Sequence, residues 1–193
     1  MTWTTKILCA GLLLSACHTM GDASLAAADD AEKAPADEAS RTVDALAAAS
    51  QARAAGDGER LRNALLTLAA LGAEPGDAPS ETLLNQWRAS TPGDLPPLRG
   101  RTLGPAFRTG ELSAGKEVRL QQVFLAGQSA VVALRTHSGG EVTMKVVDGE
   151  ARTMCDSSGD RMHCRWTPPF TQRHEIRIAN PMRGKVRYFI SFS

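Results

Sequence analysis

Apolar residues recur along this chain with two different periods, and the change falls near Pro96-Pro97. Before it the spacing is helical: Val43, Leu46 and Ala47, then Leu61, Leu65, Leu68 and Leu71, then Leu83, Leu84 and Trp87. Ser40 is placed to cap the first helix and Gly56 to stop it. Asp57 can cap the second, Gly72 can end it, and Ser80 can cap the third after the turn-rich stretch from Glu74 to Pro79. After Leu98 the period becomes two. Val118, Leu120 and Phe124 alternate with polar neighbours, as do Val142, Met144 and Val146, then Ile176 and Ile178, then Val186, Tyr188, Ile190 and Phe192. Ala126-Gly127, Ser138-Gly139-Gly140, Asp148-Gly149 and Asn180-Pro181 through Gly184 supply the turns between them.

About eight such strands in a C-terminal half of this size predict a two-sheet antiparallel sandwich. The chain therefore reads as α+β in sequence order, with a short helical hairpin region at 40–90, a linker at 91–98 and a jelly-roll-like all-β sandwich at 99–193. The helical stripes are expected to dock on the sandwich, the alternative being a groove for a partner. No repeat at 33–47 residues is present, which argues against a helical-repeat array.

The N-terminus carries an address. Lys6 is followed by a short apolar run, Ile7 to Leu14, too short for the roughly twenty helical residues that span a bilayer. The run ends in Leu14-Ser15-Ala16-Cys17, which resembles the lipobox of bacterial lipoproteins. The resemblance implies a signal peptide at 1–16 and a diacylglyceryl group on the Cys17 thiol. By the family's sorting rule, His18 after the cysteine favours the outer membrane. Residues 17–39 are then a lipidated tether, rich in Ala, Asp and Glu and too poor in large apolar side chains to fold alone.

Export changes the reading of the cysteines. Cys9 leaves with the signal and Cys17 is lipidated, so Cys155 and Cys164 remain as an isolated pair, expected to form a disulfide in an oxidising compartment. A metal site using both with His163 and His174 is the alternative, but the spacing does not support it. Asp156, Ser158 and Asp160 place oxygens at alternate positions between the cysteines, a weak calcium candidate against the plainer reading of a polar turn. No other cofactor is expected.

Phe124-Leu125-Ala126-Gly127, the Asp148-Gly149 turn, the cysteines around an acidic stretch, Trp166-Thr167-Pro168 and a closing Tyr188 resemble the bacterial pre-peptidase C-terminal (PPC-type) sandwich over 103–193. The resemblance implies a jelly-roll-like accessory domain without catalysis of its own, some members binding calcium or polymers. Arg173-His174 stands here where that family has Gly-x-Tyr.

Catalytic signatures are missing. Gly127-Gln128-Ser129 lacks the last glycine of a nucleophile elbow, and His137, His163 and His174 show no triad spacing. Charge is more informative. From His18 to Leu98 there are six Lys and Arg against thirteen Asp and Glu; from Arg99 to Ser193 there are fifteen against eight. Arg165, Arg173, Arg177, Arg183, Lys185 and Arg187 form a candidate anionic-ligand face, the alternative being that such residues pair with the chain's own acidic half. The expected function is a non-catalytic envelope lipoprotein, held to the membrane by its lipid, whose sandwich binds an anionic envelope polymer or an envelope protein. Nucleic acid is not expected as a partner. The second reading is an accessory subunit that docks an enzyme or secretion complex through its helices, and the third is a hydrolase without a recognisable motif.

Overall fold

The computed structural model describes residues 37–96 and 104–193. Cys17, the signal segment, most of the expected tether, the end of the expected linker and the basic residues Arg99 and Arg101 lie outside them. The described residues belong to one compact unit, 35–193.

Helix α1 runs Glu38–Ala55, α2 Gly58–Leu71 and α3 Ala78–Ala89. Asp37, not Ser40, caps α1: its carboxylate accepts the Ser40 N–H at 2.8 Å and the Ser40 hydroxyl at 3.1 Å. Helix α1 therefore takes in residues 38 and 39, which the expected tether included. The same correction applies to α3, where Asp77 is the cap and Ser80 donates to it. Gly56 and Gly72 end α1 and α2 in the left-handed conformation that glycine adopts without strain. Asp57 caps α2 through the Arg60 N–H, as expected. None of the described helices is long and apolar enough to cross a membrane.

Among the described residues nine strands follow or interleave: β1 Glu74–Pro75, β2 Ala106–Leu112, β3 Glu117–Phe124, β4 Ala130–Thr136, β5 Val142–Val147, β6 Thr153–Gly159, β7 Arg161–Trp166, β8 Gln172–Ala179 and β9 Val186–Phe192. They build two sheets, A in the order β1-β2-β9-β4-β7 and B in the order β3-β8-β5-β6. Apart from the short parallel β1–β2 pair, every pairing is antiparallel. Leaving β1 aside, this is the interleaved double Greek key of a jelly roll.

Two cores follow from the alternation along these strands. Even-numbered residues such as Leu134, Met144, Ile176, Ile178, Tyr188 and Ile190 meet between the sheets. On the other side of sheet A, Phe107, Val131, Ala133 and Phe189 pack beneath the helices with Leu46, Leu65, Leu68 and Trp87. The Trp87 and Phe189 rings lie 6.3 Å apart. Helix α1 rests on β4 and β9, α3 on β2, and α2 on α1. The described residues thus form a helix layer on a two-sheet sandwich. Leu61, Leu65, Leu68 and Leu71 are all buried in this core, so the apolar stripe offered to a partner by the accessory-subunit reading is used inside the chain.

The disulfide Cys155–Cys164 joins β6 of sheet B to β7 of sheet A, with Cα atoms 6.0 Å apart. The stretch between the cysteines is not the polar turn expected. Residues up to Gly159 continue β6 and pair with β5, and only Asp160 separates β6 from β7. The alternation of Asp and Ser there is the period of a strand.

Candidate functional site

The two sheets differ in what covers their outer faces. Helices lie on sheet A, whereas the odd-numbered residues of β3 and β8 point away from the inter-sheet core on sheet B and are exposed or half-buried. Strand pairing aligns Arg119 of β3 with Arg177 of β8, Arg177 with Lys145 of β5, and Lys145 with Asp156 of β6. Three cations therefore stand side by side across three strands. Like charges directly opposite one another destabilise a sheet. Here each has a carboxylate at hand: Glu117 lies 2.8 Å from Arg119, Glu175 2.5 Å from Arg177 and Asp156 3.0 Å from Lys145.

The next row places Gln121 opposite Glu175 and donates the Gln121 amide to that carboxylate at 3.2 Å. Arg173 lies opposite Val123. Between these rows is a shallow depression of about 290 Å³, bordered by Gln121, Asp148, Arg173, Glu175 and Arg177. Its rim is set by the β5–β6 hairpin. Asp148 accepts the N–H groups of Glu150 and Arg152 and the Arg152 Nε, which fixes the turn. The face thus presents basic and acidic side chains side by side at the surface of the sheet.

The six basic residues singled out by sequence do not share one surface. Arg173 and Arg177 are on the open face. Arg165 is on β7 at the margin of the helix layer, 3.5 Å from Asp37, and His163 nearby on the same strand is 3.2 Å from the same carboxylate. Arg187 and Lys185 both pair with Glu111 of β2, at 2.6 and 3.3 Å. Arg183 lies in the β8–β9 connection. Asp44 of α1 likewise binds Arg135 and Arg161. The acidic helical layer thus takes up much of the positive charge of sheet A. Arg119 and Lys145 were missed by sequence reasoning. Their signal was present, because each sits between the inward residues of a period-two strand, but only strand order brings them beside Arg177.

Burial pushes the Asp37 carboxyl up, but it is outweighed by hydrogen bonds from the Ser40 N–H and hydroxyl and by the charges of His163 and Arg165. The group is held below its ordinary value. For Glu111, the hydrogen bonds from Arg187 and Lys185 act in the same direction.

The calcium candidates are divided between two settings: Asp156 and Ser158 lie on exposed positions of β6, and Asp160 is at the corner before β7. Among the described residues no cluster of three or more His, Cys, Asp or Glu is placed to hold a metal. The histidines are also separated. His174 is buried between Phe124 and Trp166, and the Trp166 indole donates to its Nε2 at 3.3 Å. His163 faces Asp37, and His137 follows the far end of β4 from the loop that carries Ser129.

No family model matches the chain, and no curated protein matches it. Several solved structures are similar to part of it. One is PliG of Aeromonas hydrophila, a periplasmic lysozyme inhibitor of g-type lysozyme, with 15% identity over 46% of this chain and 84% of that one, at a TM-score of 0.37. Another is the Yersinia pseudotuberculosis-derived mitogen, with 13% identity over 47% of this chain and 85% of that one, at a TM-score of 0.40. The pre-peptidase C-terminal domain of a Bacillus anthracis collagenase is similar with 10% identity over 45% of this chain and 87% of that one, at a TM-score of 0.41.

Proposed function

We propose that this protein is a non-catalytic binding module of the bacterial envelope, tethered by a lipid on Cys17, and that its ligand surface is the open face of sheet B. The observation that carries the reading is the row Arg119, Arg177 and Lys145, three cations aligned across a face of sheet B that no described helix covers. A phosphate or carboxylate group seated between Arg119 and Arg177 can pair with both guanidinium groups. Arg173 extends the row toward the β5–β6 hairpin, so a chain of anionic groups is a better match than a single ion. Glu117, Glu175 and Asp156 compete for the same cations, which favours modest affinity and strong salt dependence.

The test uses the mature protein, oxidised and produced without its lipid, mixed with purified lipopolysaccharide, peptidoglycan or membrane fractions at low and high salt. Sedimentation with one of them at low salt, lost at high salt and lost in the double variant Arg119→Glu with Arg177→Glu, supports the reading. Arg187→Gln, on the helix side of sheet A, should bind as the parent does. No sedimentation at either salt removes the open face as an anionic-ligand site. Anchoring is tested separately: a labelled fatty acid should mark the parent and not Cys17→Ala.

A further inference from the structure

Among the described residues, four large apolar side chains are exposed: Val123, Leu125, Phe170 and Met182. Three of them gather at one end of the sandwich. Val123 precedes the last residue of β3, Leu125 opens the β3–β4 connection, and Phe170, 69% exposed, belongs to the β7–β8 connection. The two connections are bonded to each other. The Gly127 N–H donates to the Pro168 carbonyl at 2.9 Å, and the Ala126 N–H donates to the Thr171 hydroxyl at 3.0 Å. Below them the Phe124 ring meets Trp166 at 4.8 Å and His174 at 5.4 Å, a packed base under exposed tips. Arg165 and Arg173 are exposed on either side. Glu150, in the neighbouring β5–β6 hairpin, is paired with Arg152 at 3.3 Å.

The chain also enters the described structure at this end. Asp37 is held by His163 and Arg165, just before the residues that lead into Phe170. Nineteen residues, His18 to Ala36, separate it from Cys17, and a chain of that length reaches at most about 65 Å. With Cys17 in a bilayer, the end that receives the tether has the highest effective concentration at the lipid surface, so even a weak contact there becomes populated.

We propose that this end of the sandwich is a lipid-surface contact, in which Leu125 and Phe170 enter the boundary between headgroups and acyl chains. The proposal rests on the anchoring of Cys17. It places Met182, in the β8–β9 connection at the opposite end of β8, away from the bilayer, and leaves the open face of sheet B beside the membrane and free for ligand.

The test uses the full chain as processed by its host, reconstituted in vesicles of phosphatidylethanolamine and phosphatidylglycerol with brominated acyl chains. Phe170→Trp and Met182→Trp each add an indole at an exposed position, read as the emission above that of the parent. The added emission of Phe170→Trp should be largely quenched and that of Met182→Trp should not. If Cys17 carries the fatty-acid label yet the two positions are quenched alike, or neither is, the contact is refuted while the anchor stands. If Cys17 carries no label, the anchor fails and the contact fails with it.

Discussion

Sheets A and B share one core, yet their outer faces have opposite fates. On sheet A, Val131, Ala133 and Phe189 are covered by helices, and the charged residues at the margin of that cover find carboxylates on the helices or on β2. On sheet B the outward residues remain at the surface, where ion pairs are held within the sheet itself. The same residue type therefore has two meanings. An arginine on β7 helps to seat a helix layer, and an arginine on β8 stays at the surface, paired within its own sheet. Net charge by sequence half reports only the first of these, since the acidic half and the basic half meet at sheet A.

The strongest challenge to this contrast is to open the covered face. Phe189 is fully buried against Trp87. Phe189→Ala should cost about 3–5 kcal/mol, the range for removing a buried aromatic ring. If the helix layer is integral to the fold, helical and tertiary signals should move together to lower denaturant. Helices that melt first, leaving the sandwich intact, would make the layer a separable cover. The next effect in size concerns the tie between the sheets. Reducing Cys155–Cys164, which closes a short loop, should remove about 2.7 kcal/mol in the chain-entropy account. Urea midpoints with and without reductant measure it, and unchanged midpoints would show that packing alone holds β6 against β7.

Much of this architecture was legible. The even positions of β5, β8 and β9 point inward as period two requires, and the leucines of α2 form one buried stripe. The cover on sheet A was less so, although Ala130-Val131-Val132-Ala133-Leu134 is a continuous apolar run, the pattern of a strand buried on both faces. The helix starts were misplaced twice for one reason. Ser40 and Ser80 are good caps by type, but in each case an aspartate three residues earlier does the capping and the serine donates to it. In α3 the serine has a second task, because the Ser80 hydroxyl accepts the Thr109 N–H of β2 at 2.9 Å. Strand order was beyond local pattern. Arg119, Lys145 and Arg177 are scattered in sequence, and only the non-local pairings of the jelly roll align them. The six basic residues were grouped by proximity along the chain, whereas the fold sends neighbouring strands to different sheets.

The smallest effect separates the two faces by pH. The Asp37 carboxyl is held below its ordinary value of 3.8, despite the opposing effect of burial, by Ser40, His163 and Arg165. A carboxyl with a depressed folded-state pKa stabilises the fold above the unfolded value, and that stability is lost as pH falls from about 3.8 through the folded value. Asp37→Asn keeps an oxygen to cap α1 but removes the charge that faces β7. The variant should be less stable by about 0.5–1 kcal/mol at neutral pH, the order for a partly exposed ion pair. The gap should shrink on acidification and close once the parent carboxyl is protonated. Urea titrations of both proteins along a pH series measure it. A gap that persisted at the acid end would mean that Asp37 acts through shape and capping alone, and the charge link between the helix layer and sheet A would have to rest on Asp44 with Arg135 and Arg161.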